Sequence, residues 1–96
     1  MGTFSLQQAA ASSPELARVA ERIRQSGAML RAVLPLIPPP MQAHVTPGPV
    51  DDAEWCLLVP NVAMASKLRQ LGPLLTQHLQ QQGIPLRRLR IKVRTP

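Results

Sequence analysis

The sequence predicts a single small α+β domain in which a three-stranded sheet packs against helices, in the order α-β-β-α-β. Two amphipathic stretches with helix start and stop signals predict the helices. A segment that is apolar on both faces and a strictly alternating one predict two of the strands. The chain has 96 residues, and 45% of them are apolar, but the only aromatic residues are Phe4 and Trp55, so the core must be aliphatic.

The first helix is predicted to follow a leader, residues 1–12, which is rich in Gln, Ala and Ser and is expected to be flexible; residues 13–96 then form the domain. The helix should start at residues 13–15, where Ser, Pro and Glu supply an N-cap, a first-position proline and a first-turn acid. It should end near Val33, because proline disfavours α geometry in the residue before it. Five apolar residues fall on one face, and the first three should cover the sheet: Leu16, Val19, Ile23, Leu30 and Leu34.

Proline dominates the middle of the chain. Residues 35–41 predict a stiff, extended connector, because proline fixes φ and favours polyproline II geometry. Weak alternation over residues 42–46 predicts a short strand, and the Pro-Gly-Pro and Asp-Asp sequences within residues 47–52 predict a turn. Residues 54–59, EWCLLV, are apolar on both faces, as in a strand with a neighbour on each side or covered over both faces.

The long helix predicted within residues 61–83 organises the rest of the chain. Asn61 is a good N-cap, Gly83 supplies a left-handed residue after the last turn, and a proline follows two residues later. Gly72-Pro73 predicts a kink, or two short helices end to end, because proline removes a helical hydrogen bond. The apolar stripe that should pack on the sheet is Met64, Leu68, Leu71, Leu75 and Leu79.

The last strand has the clearest alternation. Its apolar residues, which should face the helices, are Leu89, Ile91 and Val93, and they alternate with Arg88, Arg90, Lys92 and Arg94. The four cations should lie on the other face, about 6.6–6.8 Å apart, a spacing that suits contact with a phosphodiester backbone. The alternative hypothesis is an edge strand that like charge protects against aggregation.

The charge distribution also favours a polyanionic partner. Residues 55–96 hold seven basic residues and no acid, whereas residues 1–54 hold four arginines and five acids. Nucleic acid, or less readily an anionic membrane surface, would suit such a basic half. Base stacking should contribute little with so few aromatics, so we expect backbone-directed, weakly sequence-specific binding. The expected binding residues are Lys67, Arg69, Arg88, Arg90, Lys92 and Arg94.

No enzymatic activity, cofactor or metal is expected. Three of the acids cluster in the predicted turn at residues 51–54, and His44 and His78 show no metal-ligand spacing. Cys56 is the only cysteine, so no internal disulfide forms. The sequence has no apolar run long enough to span a membrane and no signal sequence, so we expect a cytoplasmic protein.

The run LLVPNVAMASKLRQLGPLLTQHLQQQGIPLRRLRIKV, residues 57–93, resembles the DciA family of bacterial proteins, also called DUF721. It has that family's strand, small-residue helix start, Leu-Arg pair, leucine-rich helix and basic final strand, and its KLRQL and IKV segments are most similar to betaproteobacterial members. The similarity covers residues 54–94; the N-terminal helix and the connector fit in outline.

The resemblance implies a KH-like domain without enzymatic activity that binds DNA and assists loading of the DnaB-type replicative helicase, and hence a nucleoid-associated protein. The segment from Lys67 to Arg69 matches the family's Leu-Arg position. Many members have Trp where this chain has Met64, so a role of that aromatic in partner contact does not carry over to this chain. The candidates for helicase contact are Met64 and Arg69. Two other hypotheses stay open: an RNA-binding KH-like module, although no GxxG clamp is present, and a structural interaction domain whose charge serves solubility.

Overall fold

The computed structural model describes residues 13–94, so the predicted leader, residues 1–12, lies outside the described residues. The elements are helix α1 (Pro14–Val33), a 3-10 turn (Leu34–Leu36), short helix α2 (Pro39–Gln42), strands β1 (Thr46–Asp51) and β2 (Glu54–Val59), helix α3 (Val62–Gln81) and strand β3 (Arg88–Val93). The predicted α+β class and the order α-β-β-α-β of the main elements are confirmed.

The sheet has the strand order β1-β2-β3, with β2 in the centre. β1 pairs with β2 antiparallel through a two-residue turn, in which Asp52 and Ala53 have φ of 50° and 69°. Positive φ at both positions is what a type I′ hairpin requires. β2 pairs with β3 in parallel, and α3 forms the crossover between them. Both β1 and β3 are therefore edge strands.

The predicted helix boundaries are confirmed. Ser13 Oγ accepts a hydrogen bond from the backbone N–H of Leu16 at 3.3 Å, and Asn61 Oδ1 accepts one from the N–H of Met64 at 2.9 Å. Gly83, with φ of 86°, ends α3 in the left-handed region. α3 is one continuous helix of 20 residues with Pro73 inside it, so the alternative of two short helices is wrong.

The core lies between α3, the C-terminal half of α1 and one face of the sheet. The predicted stripe of α3 is confirmed, since Leu68, Leu75 and Leu79 are fully buried and Met64 and Leu71 are partly buried against the same cluster. The sheet contributes Val50, Trp55, Leu57, Val59 and Ile91.

The prediction that Leu16, Val19 and Ile23 of α1 cover the sheet is wrong, because these side chains are 42%, 49% and 59% exposed. α1 instead buries Ser26, Met29 and Val33, which lie further along the helix. Val19 and Ile23 instead line a groove of about 570 Å³ between this helix and the sheet, whose other wall includes residues 47–51 of β1 and Leu58 of β2. The buried face of α1 was therefore also predicted wrongly: none of its three buried residues belongs to the predicted stripe, and of the five predicted residues only the last two pack partly against the core.

The prediction for the proline-rich segment is also wrong. Only Ile37 and Pro38 are extended, with ψ of 132° and 136°; the other residues of 35–41 complete the 3-10 turn or begin α2, whose first turn accepts proline. Gln42, predicted to begin a strand, ends α2, and its Nε2 donates to the backbone carbonyls of Leu34 and Ile37 at 3.1 and 2.9 Å. These contacts allow the connector to bury Ile37 and Met41.

β1 occupies Thr46–Asp51, so the strand predicted at residues 42–46 and the Pro-Gly-Pro turn after it are wrong. The pairing with β2 shifts between Pro47 and Val50, as at a β-bulge, and an edge strand tolerates both the bulge and the prolines. Gly48 is needed there: a Cβ at this position would lie 2.9 Å from the carbonyl oxygen of Cys56.

Candidate functional site

β3 separates its charged and apolar side chains onto opposite faces of the sheet. Its apolar residues stand opposite Trp55, Leu57 and Val59 of β2, all of which belong to the core. The predicted alternation is confirmed, and the exposed cations on the other face, away from the helices, are Arg88, Arg90, Lys92 and Arg94.

β3 also has an open backbone edge. The N–H of Arg94 donates to the carbonyl oxygen of Val59 at 2.7 Å, so the even-numbered residues of this segment direct their backbone groups towards β2. Backbone groups of alternate residues in a strand point to opposite sides. Leu89, Ile91 and Val93 therefore direct theirs away from the sheet. Arg69 already binds one of these outward-facing backbone groups: its Nη2 donates a hydrogen bond to the carbonyl oxygen of Ile91 at 3.0 Å.

A cleft of about 750 Å³ runs between α3 and this edge of β3. Four cations that the sequence predicted as binding residues line it: Arg69, Arg88, Arg90 and Lys92. The α3 side carries small or neutral residues such as Gly72, Pro73 and Thr76, and no acid lines the cleft. We call this cleft with its four cations the basic cleft.

The four cations of β3 differ in whether their side chains bond to other residues. Arg88 pairs with Glu54 at 3.5 Å, and Arg94 Nη1 donates to Thr46 Oγ1 at 3.4 Å, both at exposed positions. The side chains of Arg90 and Lys92 form no hydrogen bond or ion pair with any residue in the range 13–94. These two side chains are the ones most available to a bound anion.

Three of the predicted site residues lie outside the basic cleft, and the first is Arg94, which is exposed at the end of β3 but does not line the cleft. Lys67 is exposed on α3 but does not line the cleft. Met64 is partly buried and packs against the core, so most of this side chain is engaged in packing.

The acids of the described chain lie elsewhere, beside arginines of α1 or in the β1–β2 hairpin. Arg22 pairs with Asp51 at 3.3 Å. A hydrogen bond from Arg24 lowers the pKa of the Glu21 carboxyl below its usual value. The positive charge of the basic cleft is therefore offset only by the exposed pair of Arg88 and Glu54.

The α3 side of the cleft and the open edge of β3 were not predicted from the sequence. The α3 residues occupy one helical stripe beside the core stripe, with spacings of 4, 3, 1 and 3 residues: Arg69, Pro73, Thr76, Gln77 and Gln80. That polar stripe was the available signal. Gln80 also positions the segment before β3, since its Nε2 donates to the carbonyl of Leu86 at 2.8 Å.

Across residues 13–94, no group of three or more His, Cys, Asp and Glu residues is placed to hold a metal ion. None of the helices in that range is long and apolar enough to cross a membrane. A scan against models of known protein families and a search of curated proteins found no match to this chain.

Proposed function

We propose that this protein binds DNA through its phosphate backbone at the basic cleft. The observation that carries the proposal is the pair Arg90 and Lys92, which is exposed, has no partner among the described residues and lies in a cleft without acids. Cations at alternate positions of a strand are about 6.6–6.8 Å apart. Arginine can bind a phosphate with two parallel hydrogen bonds, and lysine attracts it as a point charge.

The binding should depend little on base sequence. The whole chain has two aromatic residues, and the only one in the described part, Trp55, is buried in the core. Stacking on aromatic side chains is therefore not available at the cleft, and backbone charge supplies the affinity.

The test measures fluorescence anisotropy with a labelled single strand and a labelled duplex of mixed sequence. The double variant Arg90→Gln/Lys92→Gln should weaken binding at least about tenfold, because it removes two charge-assisted contacts. The matched control is Arg18→Gln/Arg31→Gln, which lowers the net charge equally at exposed positions of α1 outside the cleft. This control should retain most of the affinity.

Two outcomes would contradict the proposal. Equal losses in both double variants would mean that net charge, and not the cleft, attracts DNA. Unchanged DNA binding with increased self-association of the Arg90/Lys92 variant, seen by size-exclusion chromatography with light scattering, would support charge protection of the β3 edge instead.

An RNA strand of the same sequence that binds much more tightly than DNA would favour the RNA-binding hypothesis, because the 2′-OH distinguishes the two.

We further propose that the protein acts as a non-enzymatic adaptor of the DnaB-type replicative helicase. What supports this is the resemblance of residues 57–93 to the DciA family. The measurement is a pull-down of purified helicase by purified protein at low salt, with helicase at micromolar concentration. Absence of retention would exclude the adaptor function and leave DNA binding to be judged by its own test.

A further inference from the structure

We propose that the open edge of β3 binds an extended, acidic protein segment, which joins the sheet as a fourth strand. This inference concerns a protein partner and does not rest on the proposed DNA binding. Its starting point is the edge itself: the backbone N–H groups of Leu89, Ile91 and Val93 point away from β2. Strand addition at such an edge is a recurrent mode of peptide recognition, in which main-chain hydrogen bonds supply affinity.

The cleft offers the space that a strand needs. An added strand lies about 4.8 Å from its neighbour. The cleft borders β3 from Arg88 to Lys92, and the α3 wall beside it combines the small residues Gly72 and Thr76 with neutral glutamines. The carbonyl oxygen of Ile91 already accepts a hydrogen bond from the exposed side chain of Arg69. An added strand would have to displace that guanidinium group from the Ile91 carbonyl.

The two faces of the sheet define the chemistry of the bound segment. Side chains of an added strand alternate between the faces. On one face they meet Arg88, Arg90 and Lys92, where opposite charge across neighbouring strands is favourable. On the other face they meet Leu89, Ile91 and the small or neutral residues of α3. The expected segment therefore alternates acidic with small or apolar residues.

A second copy of the chain does not fit this edge. Pairing of β3 with β3 would place arginines and lysine of one copy beside those of the other, and like charges on facing strands are destabilising. The charge pattern selects an acidic strand.

The test uses the full chain and a labelled peptide that alternates Glu with Val. The control peptide has the same composition with its Glu and Val residues in two blocks, and it should bind at least about tenfold more weakly if the alternation is recognised. Two further versions of the alternating peptide are N-methylated, one at every Glu and one at every Val. In an added strand only one set of amides faces β3, so one version should lose affinity at least about tenfold and the other should retain it.

Equal binding of the alternating and block peptides, or equal effects of the two methylation patterns, would overturn strand addition and leave only charge attraction. Leu89→Pro provides a second test, because it removes an outward N–H without touching the β2 ladder. It should weaken binding of the peptide severalfold, with the fold checked by circular dichroism. Retained peptide affinity in a folded Leu89→Pro protein would also overturn the proposal.

Discussion

Ser26 joins three elements through its hydroxyl group. The indole Nε1–H of Trp55 donates to Ser26 Oγ at 2.8 Å, and the hydroxyl donates to the carbonyl oxygen of Gly48 at 2.6 Å. The hydroxyl therefore satisfies a buried donor of β2 and an acceptor of β1 from its place on α1. A buried tryptophan usually needs such a partner for its N–H. No property of the isolated sequence singles out this serine from the others.

Ser26→Ala should lower the free energy of unfolding by about 1–3 kcal/mol, because it leaves the Trp55 N–H and the Gly48 carbonyl without their partner. The matched control is Ser66→Ala at an exposed position of α3, where surface substitutions usually change stability by less than about 0.5 kcal/mol. Urea denaturation followed by Trp55 fluorescence measures both. Equal stabilities of the two variants would show that the hydrogen bonds add nothing.

Gly48 and Gly27 should respond to alanine in opposite directions. At Gly48 the new Cβ would meet backbone of Cys56 at 2.9 Å, and such overpacking typically costs about 1–3 kcal/mol. At Gly27 it meets only the end of the Arg31 side chain at 3.6 Å, so the better helix propensity of alanine should stabilise α1 by about 0.5–1 kcal/mol. Thermal denaturation of both variants gives the comparison, and a Gly48→Ala protein as stable as the wild type would contradict the close approach.

At the scale of elements, the sequence predicted those whose signals are local. Caps at Ser13 and Asn61 and the left-handed Gly83 are properties of a few neighbouring residues, and both long helices start and end where these residues indicate. β1 was misplaced because Pro-Gly-Pro indicates a turn locally, and only the sheet shows that it lies in a bulged edge strand.

How far each of the two long helices is buried could not be predicted from the sequence, because it depends on the tertiary arrangement. Both carry apolar stripes of similar quality, but α3 crosses between two parallel strands and is covered along its length, whereas the first turns of α1 are not. The exposed Val19 and Ile23 have the same spacing as residues of a buried stripe. For α1, periodicity predicted neither the covered part of the helix nor its buried residues, which are Ser26, Met29 and Val33.

Leucine truncations on α3 test the register of that helix. Leu68→Ala should cost about 2–5 kcal/mol, because Leu68 is fully buried in the core cluster. Leu74→Ala, at a side chain that is 47% exposed on the same helix, should cost far less. Chemical denaturation measures both. A loss below about 1 kcal/mol for Leu68→Ala would mean that the residue is not in the core.

At the scale of the whole molecule, the charge asymmetry was visible in the sequence but the cleft was not. Alternation alone placed the cations of β3 on one face, and that face is exposed. The cleft lies between α3 and the edge of β3, where Arg69 donates a hydrogen bond to the carbonyl oxygen of Ile91, 22 residues later in the chain. Such a contact between separate elements has no local signature.

The salt dependence of DNA binding separates local phosphate contacts from the general attraction of a chain with a net charge of +6. Each neutralised phosphate contributes a slope of about −0.7 on single strands, or about −0.9 on duplex, to the logarithm of affinity against the logarithm of salt concentration. Arg90→Gln/Lys92→Gln should therefore flatten the slope by about 1.4 on a single strand. Arg18→Gln/Arg31→Gln carries the same change in net charge outside the basic cleft and should leave the slope nearly unchanged. Anisotropy titrations at several salt concentrations measure both slopes, and an equal flattening in the two variants would mean that phosphates do not contact Arg90 and Lys92 in particular.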